Sequence, residues 1–151
     1  YCTARCPAGH ILYRRCCLLK LIVCLDDHGG MLFNHRRQSQ DRILQADLLA
    51  MTQGTHLYMN AYSARQFEFA PEITVVDSPE EAAGPGDWCF AEDRPLSGCA
   101  SKIEELVVYR WNRSYPADRY FDLSLDTWHL AVSAEFAGSS HEKITKEIYV
   151  P

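Results

Sequence analysis

An unbroken apolar run, LIVCL at residues 21–25, heads the patterned part of the chain. Apolar side chains at successive positions make both faces of an extended strand apolar. This predicts a central strand in a sheet covered on both sides. Asp26-Asp27-His28-Gly29-Gly30 then reads as a turn, its glycines permitting positive φ. The period changes next: Leu44, Leu48 and Met51 recur at i, i+4 and i+7, the buried stripe of a helix. Ser39 reads as the N-cap of that helix, Asp41 as part of its first turn and Gly54 as its end.

Shorter apolar stretches predict strands at 55–60, 73–76, 88–91 and 106–111, with a short helix from Ser63 to Phe67 and a helical turn at 101–105. Ser78-Pro79-Glu80-Glu81 is a helix start with an N-cap, proline at N1 and acids in the first turn, and Gly84-Pro85-Gly86 closes it. Beyond an extended piece at 120–123, residues 128–136 and 144–150 pair as a hairpin across the polar connection 137–143. Strands alternating with helices and then a β-only end predict one α/β domain over residues 19–151. Its sheet should be mixed and mostly parallel, flanked by helices, with a C-terminal antiparallel hairpin.

Composition narrows the function classes. The chain has 151 residues, 47% hydrophobic and 23% charged, as in an ordinary globular domain. No apolar run approaches a membrane span, so a soluble protein is expected. Residues 1–18 hold Arg5, Arg14 and Arg15 and no acid, leaving 12 basic against 20 acidic side chains in the rest, a balance of −8. Such an acidic body disfavours broad nucleic-acid binding. Four of the seven cysteines (Cys2, Cys6, Cys16 and Cys17) crowd into the first 17 residues. Residues 1–18 show no period and no secretory apolar core, and are expected to be a disordered or non-native tail. Cys24 and Cys89 lie in strand-like runs where a thiol acts as a small hydrophobe. With no CxxC pair, the expected compartment is reducing, hence cytoplasmic.

The candidate chemistry gathers where the first strand feeds the first helix. Arg36, Arg37 and Arg42 have the residue type of an anion clamp for phosphate or carboxylate. Asn34 stands beside them, and Asp41 would lie near their guanidinium groups, which would lower its pKa and keep it ionised. Asn112 is the expected contributor from the fifth strand. The reading is therefore a pocket at the strand ends with Asp41 and Arg37 as polar anchors. Six histidines are scattered through the chain. No Ser-His-Asp arrangement follows from spacing, and no metal ligand set is expected.

In element order the chain resembles dihydrofolate reductases. That family opens with a strand of LI-A-L type, a mobile loop with Gly-Met and an acid-bearing helix, matched here by residues 21–25, Gly30-Met31 and the helix from Asp41. The helix acid itself has two candidates, Asp41 and Asp47. The family's later elements are matched by residues 56–60, 63–67, 106–109, 118–121 and 128–136. The departures fall on the chemistry. The family's Gly-Gly pair after the fourth strand lets dinucleotide phosphates approach the backbone, and here stands Ala91-Glu92-Asp93. Its folate-tail arginine has no counterpart in residues 68–73, and its basic and hydroxyl residues after the second strand are reduced to Ser63. The expectation is a dihydrofolate reductase-like domain that binds a small anionic or heteroaromatic ligand without NADPH, in an unspecified oligomeric state. The strings GGMLFNHRRQSQDR and YRWNRSYPAD also resemble short bacterial proteins labelled ribonuclease Z. That resemblance implies an alternative, an RNA-associated accessory protein using the basic loop 36–42.

Overall fold

Because residues 21–25 are apolar without interruption, that strand can be buried on both faces. The computed structural model describes residues 19–67 and 73–151. The expectation for the tail over 1–18, and that for the missing arginine over 68–72, lie outside the described residues. The elements run β1 (Leu19–Leu25), β2 (Gly30–Phe33), β3 (Arg36–Arg37), α1 (Arg42–Thr52), β4 (Leu57–Met59), α2 (Ala61–Ala64), β5 (Ile73–Val75) and α3 (Pro79–Ala82). They continue with β6 (Trp88–Phe90), a 3-10 turn (Ser97–Lys102), β7 (Ile103–Arg110), β8 (Arg119–Tyr120), β9 (His129–Phe136) and β10 (Ile144–Val150).

The main sheet has seven strands in the order β5-β4-β6-β1-β7-β10-β9, with β1 at its centre. Pairing is parallel from β5 through β7. It turns antiparallel where β10 joins β7 and β9 joins β10, closing the sheet with the C-terminal hairpin. Alternate residues of β1 feed two cores. Leu21, Val23 and Leu25 belong to one with Cys89, Leu106 and Val108, under Leu96, Cys99 and the segment from Phe121 to Trp128. Ile22 belongs to the other with Phe90, Val107 and Tyr109, under Leu44 and Leu48 of α1. This is the α/β architecture the sequence pattern predicts. No helix among the described residues is long and apolar enough to cross a membrane.

Four local expectations are corrected. Residues 26–38 are more than a turn and polar loop: β2, β3 and β8 form a second, three-stranded sheet. Its hairpin turns on Asn34 and His35, both at positive φ (54° and 62°), as in a type I′ turn whose twist matches the flanking strands. The N-cap of α1 is Asp41, not Ser39, because the Asp41 carboxylate takes the N–H groups of Ile43 and Leu44. Helix α2 likewise starts after Asn60, whose side chain accepts from Ser63 N, so Ser63 lies inside the helix rather than at its head. The turn expected at 101–105 comes earlier, at Ser97–Lys102, where Asp122 accepts the N–H groups of Leu96 and Ser97.

The helix face is testable. Leu48 is fully buried, whereas Ile43 is 44% exposed on the same helix. Leu48→Ala should cost about 2–5 kcal/mol in chemical denaturation, and Ile43→Ala no more than about 0.5 kcal/mol. Equal costs would refute this orientation of α1.

Candidate functional site

Parallel pairing brings the C-terminal ends of β4, β6, β1 and β7 to one edge of the sheet, the usual place for ligands in open α/β folds. Each strand there runs into polar residues: Asn60 after β4, Glu92 and Asp93 after β6, Asp26 after β1 and Asn112 after β7. Asp26 is buried. One of its oxygens accepts from His28 N and Gly30 N at 2.8 Å each. The other accepts from Tyr115 N at 3.0 Å and Gln38 Nε2 at 3.1 Å. Burial raises its pKa, but these donors outweigh burial and hold the carboxyl below the usual range. The glycine pair alone does not account for this turn. A Cβ on Gly30 would come within 3 Å of Ala117 and Gln38.

Asp41 is the second buried carboxylate, 2% exposed. Its Oδ1 accepts from Ile43 N (2.9 Å), Leu44 N (3.3 Å) and Ser139 N (2.9 Å). Its Oδ2 meets Ser140 N (2.8 Å), Ser140 Oγ (3.0 Å) and His141 Nδ1 (3.1 Å). Burial raises its pKa as well, yet the donors from Ser139, Ser140, His141 and Leu44 hold it well below the carboxylate range. The sequence reading gave that role to guanidinium groups. The structure gives it to backbone N–H groups and an imidazole from the β9–β10 connection, almost a hundred residues away. The close approach requires Gly138, since a Cβ there would fall within 3 Å of both the Asp41 carboxylate and Ile144.

His141 is the functional candidate that sequence reasoning missed. Its ring is buried and stacks on Trp111 with centroids 4.6 Å apart and planes at 24°. Ionised Asp41 can only accept, so its contact places a proton on Nδ1, which also lies 3.0 Å from Ser140 Oγ, while Nε2 lies 2.8 Å from Tyr115 Oη and 3.3 Å from Ser39 Oγ. Ser39, expected as a helix cap, is instead a hydroxyl facing an imidazole oriented by a carboxylate. The one legible signal was the Gly138-Ser139-Ser140-His141 string in the loop between the last two strands, because loop positions on a rigid scaffold often carry function.

The other expected residues are divided among separate places. Arg37 pairs its Nε with Glu92 Oε2 at 3.1 Å, donates from Nη2 to Tyr62 O at 2.9 Å and lies over the Tyr62 ring. Glu92 also accepts from Ser63 Oγ at 2.8 Å. Asn34 holds its turn, with its N–H on Asp118. Asn34, Arg36 and Arg37 line a pocket of about 330 Å³ with Gln38 and Tyr115. Asn112, at φ 59°, donates from Nδ2 to Lys143 O and Thr145 Oγ1 and borders another pocket of about 340 Å³. Asp41 instead borders a cleft of about 770 Å³ between α1 and the chain after α2. So Asn34, Arg36, Arg37, Asp41 and Asn112 do not converge on one pocket. Asp47, the alternative helix acid, is engaged by Tyr109 Oη at 2.6 Å and Lys146 Nζ at 3.0 Å.

The linkage sign follows from the lowered pKa values. Asp26 and Asp41 titrate below 3.8 in the folded chain, so on acidification the unfolded chain takes up protons first. Their contribution is full above about pH 5 and is lost as pH falls through about 4 toward the folded values. Asp41→Ala should cost about 3 kcal/mol or more at pH 7, combining a lost cap with stranded buried donors. Its stability should also fall less steeply than wild type between pH 5 and 3. Urea unfolding across that range checks both, and an unchanged acid slope would show that Asp41 is not the titrating anchor.

No protein-family model matches the chain, and no curated protein matches it. Among solved structures it is similar to a dihydrofolate reductase from Enterococcus faecalis complexed with NADP(H) and RAB-propyl. The TM-score is 0.66 at 10% identity, over 88% of this chain and 95% of that one. At that identity the likeness is one of architecture, and the domain has a dihydrofolate reductase-like fold.

Proposed function

We propose that the domain binds a small anionic ligand in the cleft between α1 and the chain following α2, without a nicotinamide dinucleotide. The observation that carries this reading is the charge on the cleft wall. Arg42 and Arg65 both line it, and neither guanidinium pairs with a carboxylate among the described residues. Asp41, the one acid on the wall among the described residues, is fully engaged by its own donors. Leu49 and Phe67 supply apolar surface, and Gln45 and Gln66 hydrogen-bond to each other at 3.2 Å along the wall. A cleft with two guanidinium groups unpaired among the described residues and an apolar face suits an aromatic carboxylate or a phosphate monoester. The anchors are thus Arg42 and Arg65, while Arg37 serves the internal pair with Glu92.

The residues after β6 do not fit a dinucleotide. Ala91 is buried, so its Cβ occupies the place where a bare backbone would have to meet phosphate. Glu92 is a buried carboxylate fixed by Arg37 and Ser63, and Asp93 is held by Asn60 Nδ2 at 3.0 Å and by Arg94. Bound phosphates would face two carboxylates whose neighbouring cations, Arg37 and Arg94, are already engaged by acidic side chains, so neither guanidinium is open to a phosphate.

Thermal-shift titration with aromatic carboxylates and phosphate monoesters should raise Tm for at least one class. Arg42→Gln/Arg65→Gln should abolish the shift while leaving the ligand-free Tm near wild type. A shift that survives in the double variant would sink the reading. Calorimetry with NADPH at micromolar concentration should give no saturable heat, and tight binding would restore a reductase-type site.

A further inference from the structure

We infer that Ser39, His141 and Asp41 form a nucleophile–base–acid relay, giving the domain an acyl-transfer activity toward small esters. This goes beyond the binding reading: the relay uses none of its anchors, and only the preference for an anionic ester shares Arg42 with it. The three residues come from two connections, one leading into α1 and one between β9 and β10. Their order is that of an activated hydroxyl: Ser39 Oγ to His141 Nε2 at 3.3 Å, and His141 Nδ1 to Asp41 Oδ2 at 3.1 Å.

Three features separate this arrangement from a buried structural triad. The imidazole cannot reorient, because Trp111 stacks on one face, the Tyr115 ring meets it edge-on with centroids 6.2 Å apart, and Asp41 holds Nδ1. Ser39 is released from capping, and its hydroxyl has no other hydrogen-bond partner among the described residues. Ser39 is also half-buried rather than sealed. In the chain it lies between Gln38, on the wall of one pocket, and Gln40, on the wall of the 770 Å³ cleft. Tyr115 is the nearer hydroxyl and holds the Nε2 lone pair at rest. It yields that lone pair when Ser39 reacts, the looser contact tightening as expected of a site without substrate.

The step balances within the protein. Ser39 Oγ bonds to the ester carbonyl carbon while its proton passes to His141 Nε2, and Asp41 stabilises the imidazolium. The tetrahedral adduct collapses, the carbon–oxygen bond to the alcohol breaks, and the departing oxygen takes the proton from Nε2. Water, deprotonated by the same nitrogen, then attacks acyl-Ser39, releases the carboxylic acid and returns the proton to Oγ. Arg36 and Arg42 on the two adjoining pockets favour an ester whose acyl or alcohol part is anionic.

The test is covalent labelling of the full chain with a fluorophosphonate, read by intact mass and peptide mapping, together with p-nitrophenyl acetate turnover. One adduct, on Ser39, is expected, and Ser39→Ala should remove it. His141→Gln should slow labelling by about 100-fold or more. Tyr115→Phe should label faster than wild type, because the lone pair is no longer shared. The wild-type mapping stands even if His141→Gln fails to fold. An adduct on Tyr115, none on Ser39, or labelling of His141→Gln at the wild-type rate would overturn the relay.

Discussion

One carboxylate joins two distant connections at the start of α1. Asp41 caps α1, and the same two oxygens collect the N–H groups of Ser139 and Ser140 and the imidazole of His141. The start of the helix that covers one face of the sheet is thereby tied to the connection within the terminal hairpin. A buried charge is tolerable only when its hydrogen-bonding capacity is filled, and here six donor atoms fill it. The constraint propagates outward. Gly138 must lack a side chain, Ser39 loses its capping role to Asp41, and the imidazole is held with Nδ1 on Asp41 and Nε2 toward Tyr115 and Ser39.

Asp26 does the same at the end of the central strand. It closes the β1–β2 turn through His28 and Gly30, and it reaches across to Tyr115 in the connection from β7 to β8. Tyr115 then touches His141, so the two carboxylate nests are linked through one phenol. Together they fix an edge whose backbone would otherwise be loose polar loop. The Arg37–Glu92 pair fills the neighbouring strand end, and its partners Tyr62 and Ser63 come from α2. Positive charge expected to wait for a ligand is therefore partly spent inside the protein. Arg42 and Arg65, unpaired with any carboxylate among the described residues, line the larger cleft beside Asp41.

The architecture itself places few demands on the residues at the strand ends. A sheet of this order needs apolar strands at the right spacing and helices long enough to cross it, requirements met by many sequences. At the end of β6 the side chains are one apolar and two acidic. Ala91, Glu92 and Asp93 supply side chains and negative charge at that end, all of it already hydrogen-bonded or ion-paired.

The sequence by itself determined the elements whose cause is local. The apolar run at 21–25 could only be a strand buried on both faces, the Leu44/Leu48 spacing could only present one helix face, and the polar break at 137–143 could only be a connection. The class of sheet, mixed and mostly parallel with a C-terminal antiparallel hairpin, followed from alternating patterns, whereas the order of its strands did not. Tertiary structure decided everything that depends on which loop meets which. Ser39 reads as the cap from sequence and Asp41 as a first-turn acid, and the cap fell to Asp41, where distant N–H groups and His141 complete its shell. Arg37 went to Glu92, 55 residues away, and no periodicity encodes that partnership. The turn at Asn34-His35 rested on two positive φ values that composition only hints at. The Ser39–His141–Asp41 juxtaposition, made across 100 residues, was invisible for the same reason. Hydrophobic period reports which face of an element is buried, whereas hydrogen-bond partners are set by where chain connections land once those faces have packed.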